Sequence, residues 1–309
     1  MGLARSALLA ASRSTWLAGQ MTRRSFAQRA VRRFMPGETL EAALDAAGPL
    51  AAQGIATVIT KLGENLTALA DADAVREHYL GAIAEITRRK LDCSPSVKPT
   101  QLGLDHSAEA CLANLDALAA AAKAAGLTFW VDMEDSRYVD RTLDLYRALQ
   151  PKHGNVGLCL QAYLRRTPAD FESLLPLRPA IRWVKGAYAE PPEVAFPAKR
   201  DTDAAYERLA RRHLTLTRDG AGLCVLGTHD VPLVRRIAAH AAAAGAKDGA
   251  DLEVHMLYGI RAAEQAGLTR EGRKVRTLIA YGSHWFPWYM RRLAERPANV
   301  WFVVKSLAG

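Results

Sequence analysis

Two adjacent arginines, Arg291 and Arg292, sit in the segment WYMRRLAERP, with Glu295 four residues after the first. On a helix Arg291 and Glu295 lie one turn apart, and such a pair on a wet surface contributes only about 0.3 kcal/mol. The same two guanidinium groups have a sharper use. Arginine's planar fork matches a carboxylate bidentately, so two of them side by side suit a clamp for a small carboxylate. A second set of candidates is scattered along the chain: Lys98, Asp132, Gln161, Lys185, Thr228, His229 and His255 lie in or at the ends of short β-type runs. Singly, each has a dull explanation, Asp132 as a turn cap and His229 as a loop or satisfied core histidine. Together, charged and amide groups converging from several strand ends would leave buried charges unpaired unless a ligand binds among them.

The elements that must position these residues are legible as a repeat. The strand candidates are ATVIT (56–60), SVKPT (96–100), TFWVD (128–132), VGLCLQ (156–161), IRWVK (181–185), LCVLGT (223–228), LEVHML (252–257) and VRTLIA (275–280). Helix-length stretches lie between them, such as 107–126, whose terminal Gly126 suits a helix C-cap. About eight strands alternating with helices over roughly 250 residues is the count of a (β/α)8 TIM-like barrel. A doubly wound open sheet is the competitor, but no G-x-G-x-x-G follows any strand. In such barrels the chemistry sits at the C-terminal ends of the strands, where the scattered set falls. Alternation then sends Trp130, Asp132, Gly157, Cys159 and Gln161 inward and Phe129, Val131, Leu158 and Leu160 toward the helices. Arg182 and Lys185 cannot share a face of one regular strand, so Lys185 is expected to act where the strand ends and alternation relaxes.

The net charge of +9 raises a nucleic-acid reading, and its location argues against one. Residues 1–37 hold seven arginines and no acid, so the other 272 residues carry only +2. The arm is arginine-rich and acid-poor like a transit peptide, or else a helical extension touching anionic headgroups or its own barrel. The extension is favoured, since VRRFMPGETLEAAL runs into the body with no cleavage-like break. The expected division is a basic helical arm over 1–50 and a barrel over 51–309. Cys93, Cys111, Cys159 and Cys224 show no metal-type spacing; Cys159 and Cys224 fall in apolar strand candidates and read as buried thiols, and a reducing compartment fits best. No metal is expected, and no apolar run approaches the roughly 18 residues of a membrane span.

RFMPGETL, SVKPTQLGL, VDMEDSRYVDRTLDLY, LCLQAYLRR, IRWVKGAY, THD, EVHMLYGIR and YMRRLAERPANVWFV, in that order, resemble the proline dehydrogenase family from about Phe34 to Val304. The resemblance implies a distorted (β/α)8 barrel that holds FAD across the strand ends. It implies oxidation of L-proline at C5 to Δ1-pyrroline-5-carboxylate, with electrons passed to a membrane quinone. Matched residue by residue, Arg291, Arg292 and Lys98 would clamp the proline carboxylate, Glu295 would pair with the clamp and Asp132 would orient it. Arg182 would lie on the flavin N5 side. Met133, Gln161, Lys185, Gly186, Ala187, Thr228 and His229 would contact FAD. The implied location is cytoplasmic, with peripheral contact at the inner face of the membrane an option for the arm.

Departures from the family's pattern concern the wall around the substrate ring. Leu278 and Trp288 stand where the family usually has tyrosines, and Trp183, Gly227 and His255 where leucine, alanine and glutamine are common. The alternative is therefore a related flavin dehydrogenase acting on hydroxyproline or another cyclic or N-alkyl amino acid. A lyase with Lys185 as a Schiff base is the remaining enzymatic reading.

Overall fold

Eight parallel strands close into a barrel in chain order, β8 pairing back onto β1. The computed structural model describes residues 31–63, 66, 68–217, 222–247 and 249–295, with side chains up to Met290. The strands are β1 Ala56–Lys61, β2 Cys93–Val97, β3 Phe129–Val131, β4 Val156–Gln161, β5 Ala180–Val184, β6 Leu223–Gly227, β7 Leu252–Leu257 and β8 Val275–Tyr281. A helix, α1 Leu40–Ala51, precedes β1. Then come α2 Leu69–Arg88, α3 Ala108–Ala124, α4 Val139–His153, α5 Thr167–Leu174, α6 Lys199–Thr217, α7 Val231–Ala243, α8 Ala262–Arg270 and α9 Trp285–Glu295, one after each strand. Ser107 caps α3 by accepting from Ala110 N, and Gly126 follows its end at φ +70°, as the sequence pattern requires.

β4 and β7 run as predicted, and most of the others differ by a residue or so at an end. The exception is β2, which starts and ends about three residues earlier than the expected 96–100. Pro99 has no N–H for the ladder and instead opens a 3-10 turn, Pro99–Leu102, which leaves Lys98 just beyond the strand.

The barrel is distorted at its seam. In a regular (β/α)8 fold the helix after β8 would cover the outside of β8 and β1. Here α1 does so, packing Ala43, Leu44 and Ala47 against Ile59, Ile279 and Tyr281. Leu40–Ala51, the end of the expected arm, is thus part of the barrel wall. With that position filled, α9 packs instead with Leu62, Ala280 and the stretch Val31–Met35.

Side-chain alternation holds around the ring. Phe129, Val131, Leu158 and Leu160 join the core between strands and helices, while Val58, Trp130 and Val225 meet inside the barrel. Leu278 packs on that inner cluster and keeps a partly exposed face. All four cysteines are free and buried. Among the described residues no helix is long and apolar enough to cross a membrane.

Candidate active site

Arg182, in the middle of β5, points inward and is 2% exposed. A buried guanidinium requires partners. Its Nη2 donates to Ser96 Oγ at 2.9 Å and to Asp132 Oδ1, and its Cζ lies 4.8 Å from the centre of the Trp130 ring. Asp132 follows β3 directly and donates its N–H to the Val97 carbonyl at 2.8 Å, which fixes the carboxylate at the strand end. Burial opposes the charge of Arg182, but Asp132 and Cys159 together outweigh it and hold the guanidinium above its ordinary pKa. Nη1 of Arg182 and Nε1 of Trp130 are buried donors without an acceptor among the described residues. An electron-rich group held at the barrel mouth answers that need, and the isoalloxazine edge of a flavin is such a group.

Lys185 stands where the alternation relaxes, one residue past β5. Its Nζ lies 2.6 Å from Asp203 Oδ1 and 3.0 Å from Asp230 Oδ2. Burial alone would raise both carboxyl pKa values; Lys185, helped by Lys199 and at Asp230 by the Leu233 N–H, reverses this and holds them below the usual range. Asp230 also caps α7 by accepting from Leu233 N, and its own N–H donates to Thr228 Oγ1 at 3.2 Å. Gly186 takes φ +124°, and a Cβ there would fall within about 2.5 Å of the Tyr163 ring. The close approach at this glycine is therefore that of Tyr163, which fixes the turn after β5.

Gln161 ends β4 and donates from Nε2 to the Glu134 carbonyl at 2.8 Å. The Glu134 carboxylate accepts from Thr100 N and Oγ1 at 3.0 and 2.7 Å, and Gln101 Nε2 reaches the Lys61 carbonyl at 2.8 Å. These bonds tie the turns after β1, β2, β3 and β4 into one belt. Glu190 extends it to the turn after β5 by accepting from Ser136 N and Oγ, both at 2.7 Å. Met133 is buried beside the belt, Lys98 and His229 are half-buried at its edge, and Ala187 is exposed.

Asp132, Gln161, Arg182, Lys185 and Thr228 thus gather at the C-terminal mouth of the barrel. His255 lies inside it, its ring 5.3 Å from that of Trp130 in an edge-on arrangement. The helix bearing Arg291, Arg292 and Glu295 starts three residues after β8, but their side chains lie outside the described residues. Sequence reasoning did not single out Ser96, Glu134, Asp203 and Asp230. Ser96 was recoverable, being two residues before Lys98 on the inward face of β2. Asp203 was not: it comes from α6, away from any strand end.

The proline dehydrogenase family model matches residues 43–305. Proline dehydrogenase 1 of Bacillus subtilis (strain 168) is 36% identical over 280 residues, covering 89% of this chain and 90% of that protein. The proline dehydrogenase of Deinococcus radiodurans is also 36% identical, covering 89% of each chain. Among solved structures, proline utilization A from Bdellovibrio bacteriovorus, inactivated by N-propargylglycine, superposes with a TM-score of 0.81 at 21% identity, a likeness of fold. The D778Y mutant of Bradyrhizobium japonicum proline utilization A gives 0.75 at 25% identity. This chain spans 36% and 32% of those two larger proteins and 94% and 91% of itself.

Proposed function

The chain belongs to the proline dehydrogenase family, and from that premise we propose that it oxidises L-proline to Δ1-pyrroline-5-carboxylate, with FAD as bound cofactor and a membrane quinone as final acceptor. FAD, when bound, supplies the two-electron acceptor for the C5 hydrogen. Met133, Gln161, Lys185, Gly186, Ala187, Thr228 and His229 would hold it at the strand ends. Arg291, Arg292 and Lys98 would clamp the substrate carboxylate, with Glu295 as the clamp's ion-pair partner. Asp132 would orient both the clamp and Arg182. Leu278 would line the wall beside the substrate ring. Proline is a compact zwitterion whose one strong handle is its carboxylate. Fixing that handle sets the direction of the C5–H bond, and positioning of this kind can lower a barrier by several kcal/mol. The basic arm is the part we assign to peripheral membrane contact, which would bring a cytoplasmic enzyme to its quinone.

The observation that carries this reading is Arg182: a fully buried cation, held by Asp132 and Ser96, whose Nη1 lacks an acceptor among the described residues. Such a donor is preorganised to stabilise negative charge that grows at the mouth during the reaction. The Schiff-base reading is disfavoured because Lys185 Nζ is salt-bridged to two carboxylates, a poor position for a nucleophilic amine. The test is the visible spectrum of the purified protein. A flavin band that bleaches anaerobically on adding L-proline is expected; folded, colourless protein that FAD cannot reconstitute would refute the proposal.

A further inference from the structure

Trp285 opens α9 and is 1% exposed. Its one polar atom, Nε1–H, donates to Glu38 Oε1 at 2.9 Å. Glu38 belongs to the stretch before α1, and the same stretch packs on the helix through Val31, Phe34 and Met35. The rings of Phe34 and Tyr289 lie 6.1 Å apart. The stretch also crosses the turn after β7. Gly259 there has φ +72°, and a Cβ on it would sit 1.6 Å from the Arg33 carbonyl oxygen. Any larger residue would push the crossing segment away.

These contacts matter because α9 has no place in the outer ring. α1 fills the position over β8 and β1, and only three residues separate β8 from α9. Trp285, Phe286, Trp288, Tyr289 and Met290 are nevertheless buried. A helix with that much apolar surface needs a partner, and apart from Leu62, Ala280 and Ile260 its partners in the cluster come from residues 31–35. Arg291 and Arg292 follow Trp285 by six and seven residues, about 10 Å along the same helix. Whatever sets the start of α9 sets where those arginines stand.

We propose that residues 31–38 are a strap that seats α9, and that Glu38 is a positioning residue for substrate binding, acting through Trp285. The proposal rests on the reading that α9 carries the carboxylate clamp. A displaced clamp weakens capture of the substrate carboxylate while Asp132 and Arg182, on the strand ends, stay in place. The signature is a raised KM with kcat held.

The test uses the full-length flavin-loaded enzyme with Glu38→Leu, Glu38→Gln and Trp285→Phe, and with Arg292→Met in parallel. Glu38→Leu removes the acceptor and Trp285→Phe the donor; each is expected to raise KM for L-proline about tenfold with kcat within about twofold. Glu38→Gln keeps a carbonyl acceptor for the indole and should restore most of the lost affinity. The double variant should be no worse than either single one. Hydrogen exchange should quicken over residues 285–290 in Glu38→Leu and not in α2–α7. An unchanged KM in Glu38→Leu overturns the proposal, whether or not the melting temperature falls, because a merely structural contact moves stability alone. A raised KM that Glu38→Gln does not restore also overturns it. If Trp285→Phe fails to fold, Glu38→Leu and Glu38→Gln still decide. A normal KM in Arg292→Met sinks the clamp reading itself; a raised KM there beside a normal one in Glu38→Leu sinks only the strap.

Discussion

Two arginines that point into the barrel are treated in opposite ways. Arg276, near the start of β8 and partly exposed, has every guanidinium nitrogen engaged: Nε and Nη2 donate to the Glu253 carboxylate at 2.8 and 3.3 Å, and Nη1 donates to Asp92. Glu253 in turn bonds His255 Nε2 at 3.1 Å, and Lys274 Nζ reaches Asp92 at 2.7 Å. Asp92 and Lys274 precede β2 and β8, so this network closes the N-terminal end of the barrel. Arg182 has one carboxylate and one hydroxyl, and its Nη1 is buried without an acceptor among the described residues. Its carboxylate, Asp132, stands at the C-terminal end. Between the two arginines lies an apolar septum of Val58, Trp130, Val225 and Leu278. A guanidinium with all three nitrogens engaged has little left for a ligand; one with an unengaged nitrogen at the mouth has more. The lower network holds the barrel shut, and the upper one is set for chemistry.

The widest separation between the two should appear on substitution by methionine. Arg182→Met is expected to lower kcat/KM by about a thousandfold, the scale of losing a preorganised donor to developing charge. Its effect on stability should be smaller, because Asp132 is partly exposed and can be resolvated. Arg276→Met should do the reverse. It strips Glu253, 4% exposed, of its bidentate partner, and breaking a buried pair from one side costs about 3–5 kcal/mol. Steady-state kinetics and urea unfolding on both variants check this. If Arg276→Met loses activity while stability holds, the division between the two ends is wrong.

Much of this division was legible in the sequence, and the reason is parity. Period-two alternation in TFWVD and VGLCLQ placed Trp130, Asp132, Cys159 and Gln161 on the inner face before any contact was known. The mismatch between Arg182 and Lys185 located the end of β5. The lower network was less visible, because Glu253 and Arg276 pair across strands and nothing local marks them as partners. The exchange of positions between α1 and α9 was invisible for another reason. Both helices are amphipathic, and periodicity states that a helix has an apolar face without naming the surface that covers it. Proline did not mark the shift of β2 in the sequence, because Pro95 lies inside the strand and Pro99 just beyond it. The clamp, read from Arg291, Arg292 and Glu295, is the part whose side chains fall outside the described residues.

A finer test probes the septum. Leu278 packs on Val58, Trp130 and Val225 and keeps a partly exposed face, so it presents hydrocarbon where a tyrosine would add a hydroxyl. Tyr281 does not replace that hydroxyl, because its own bonds His78 Nε2 at 2.8 Å. A substrate hydroxyl buried against this wall would lack a partner, at a cost on the order of 1–3 kcal/mol. L-Proline should therefore exceed trans-4-hydroxy-L-proline in kcat/KM by roughly ten- to a hundredfold. Leu278→Tyr should narrow the ratio. A wild-type preference for hydroxyproline would show that the upper chamber is polar beyond Arg182 and Asp132.

The smallest expected effect concerns His255, which links the two networks. Burial pushes its pKa down to about 4, with Arg182 and Arg276 adding to the fall, while Glu253 pulls the other way. Glu253 is itself held at about 2 by His255 and Arg276 against the effect of burial. His255 is therefore neutral near pH 7 and donates Nε2–H to the carboxylate, leaving Nδ1 as a buried atom without a partner. In the unfolded chain the imidazole takes up a proton near pH 6.5, whereas in the folded chain it does so only near 4. Stability from this group is thus fully present above pH 6.5 and is lost as pH falls from 6.5 to 4. The slope is at most about 1.4 kcal/mol per pH unit for one proton. His213, buried against Phe171 and Trp183 with its pKa lowered to about 3, loses stability over an overlapping range. His255→Gln keeps an N–H for Glu253 and removes one of the two slopes. Melting temperatures from pH 7 to 4 should therefore fall less steeply in His255→Gln than in the wild type. Identical slopes would mean that His255 is already charged in the fold. A third cation would then stand beside Arg182 and Arg276, and the two networks would be one.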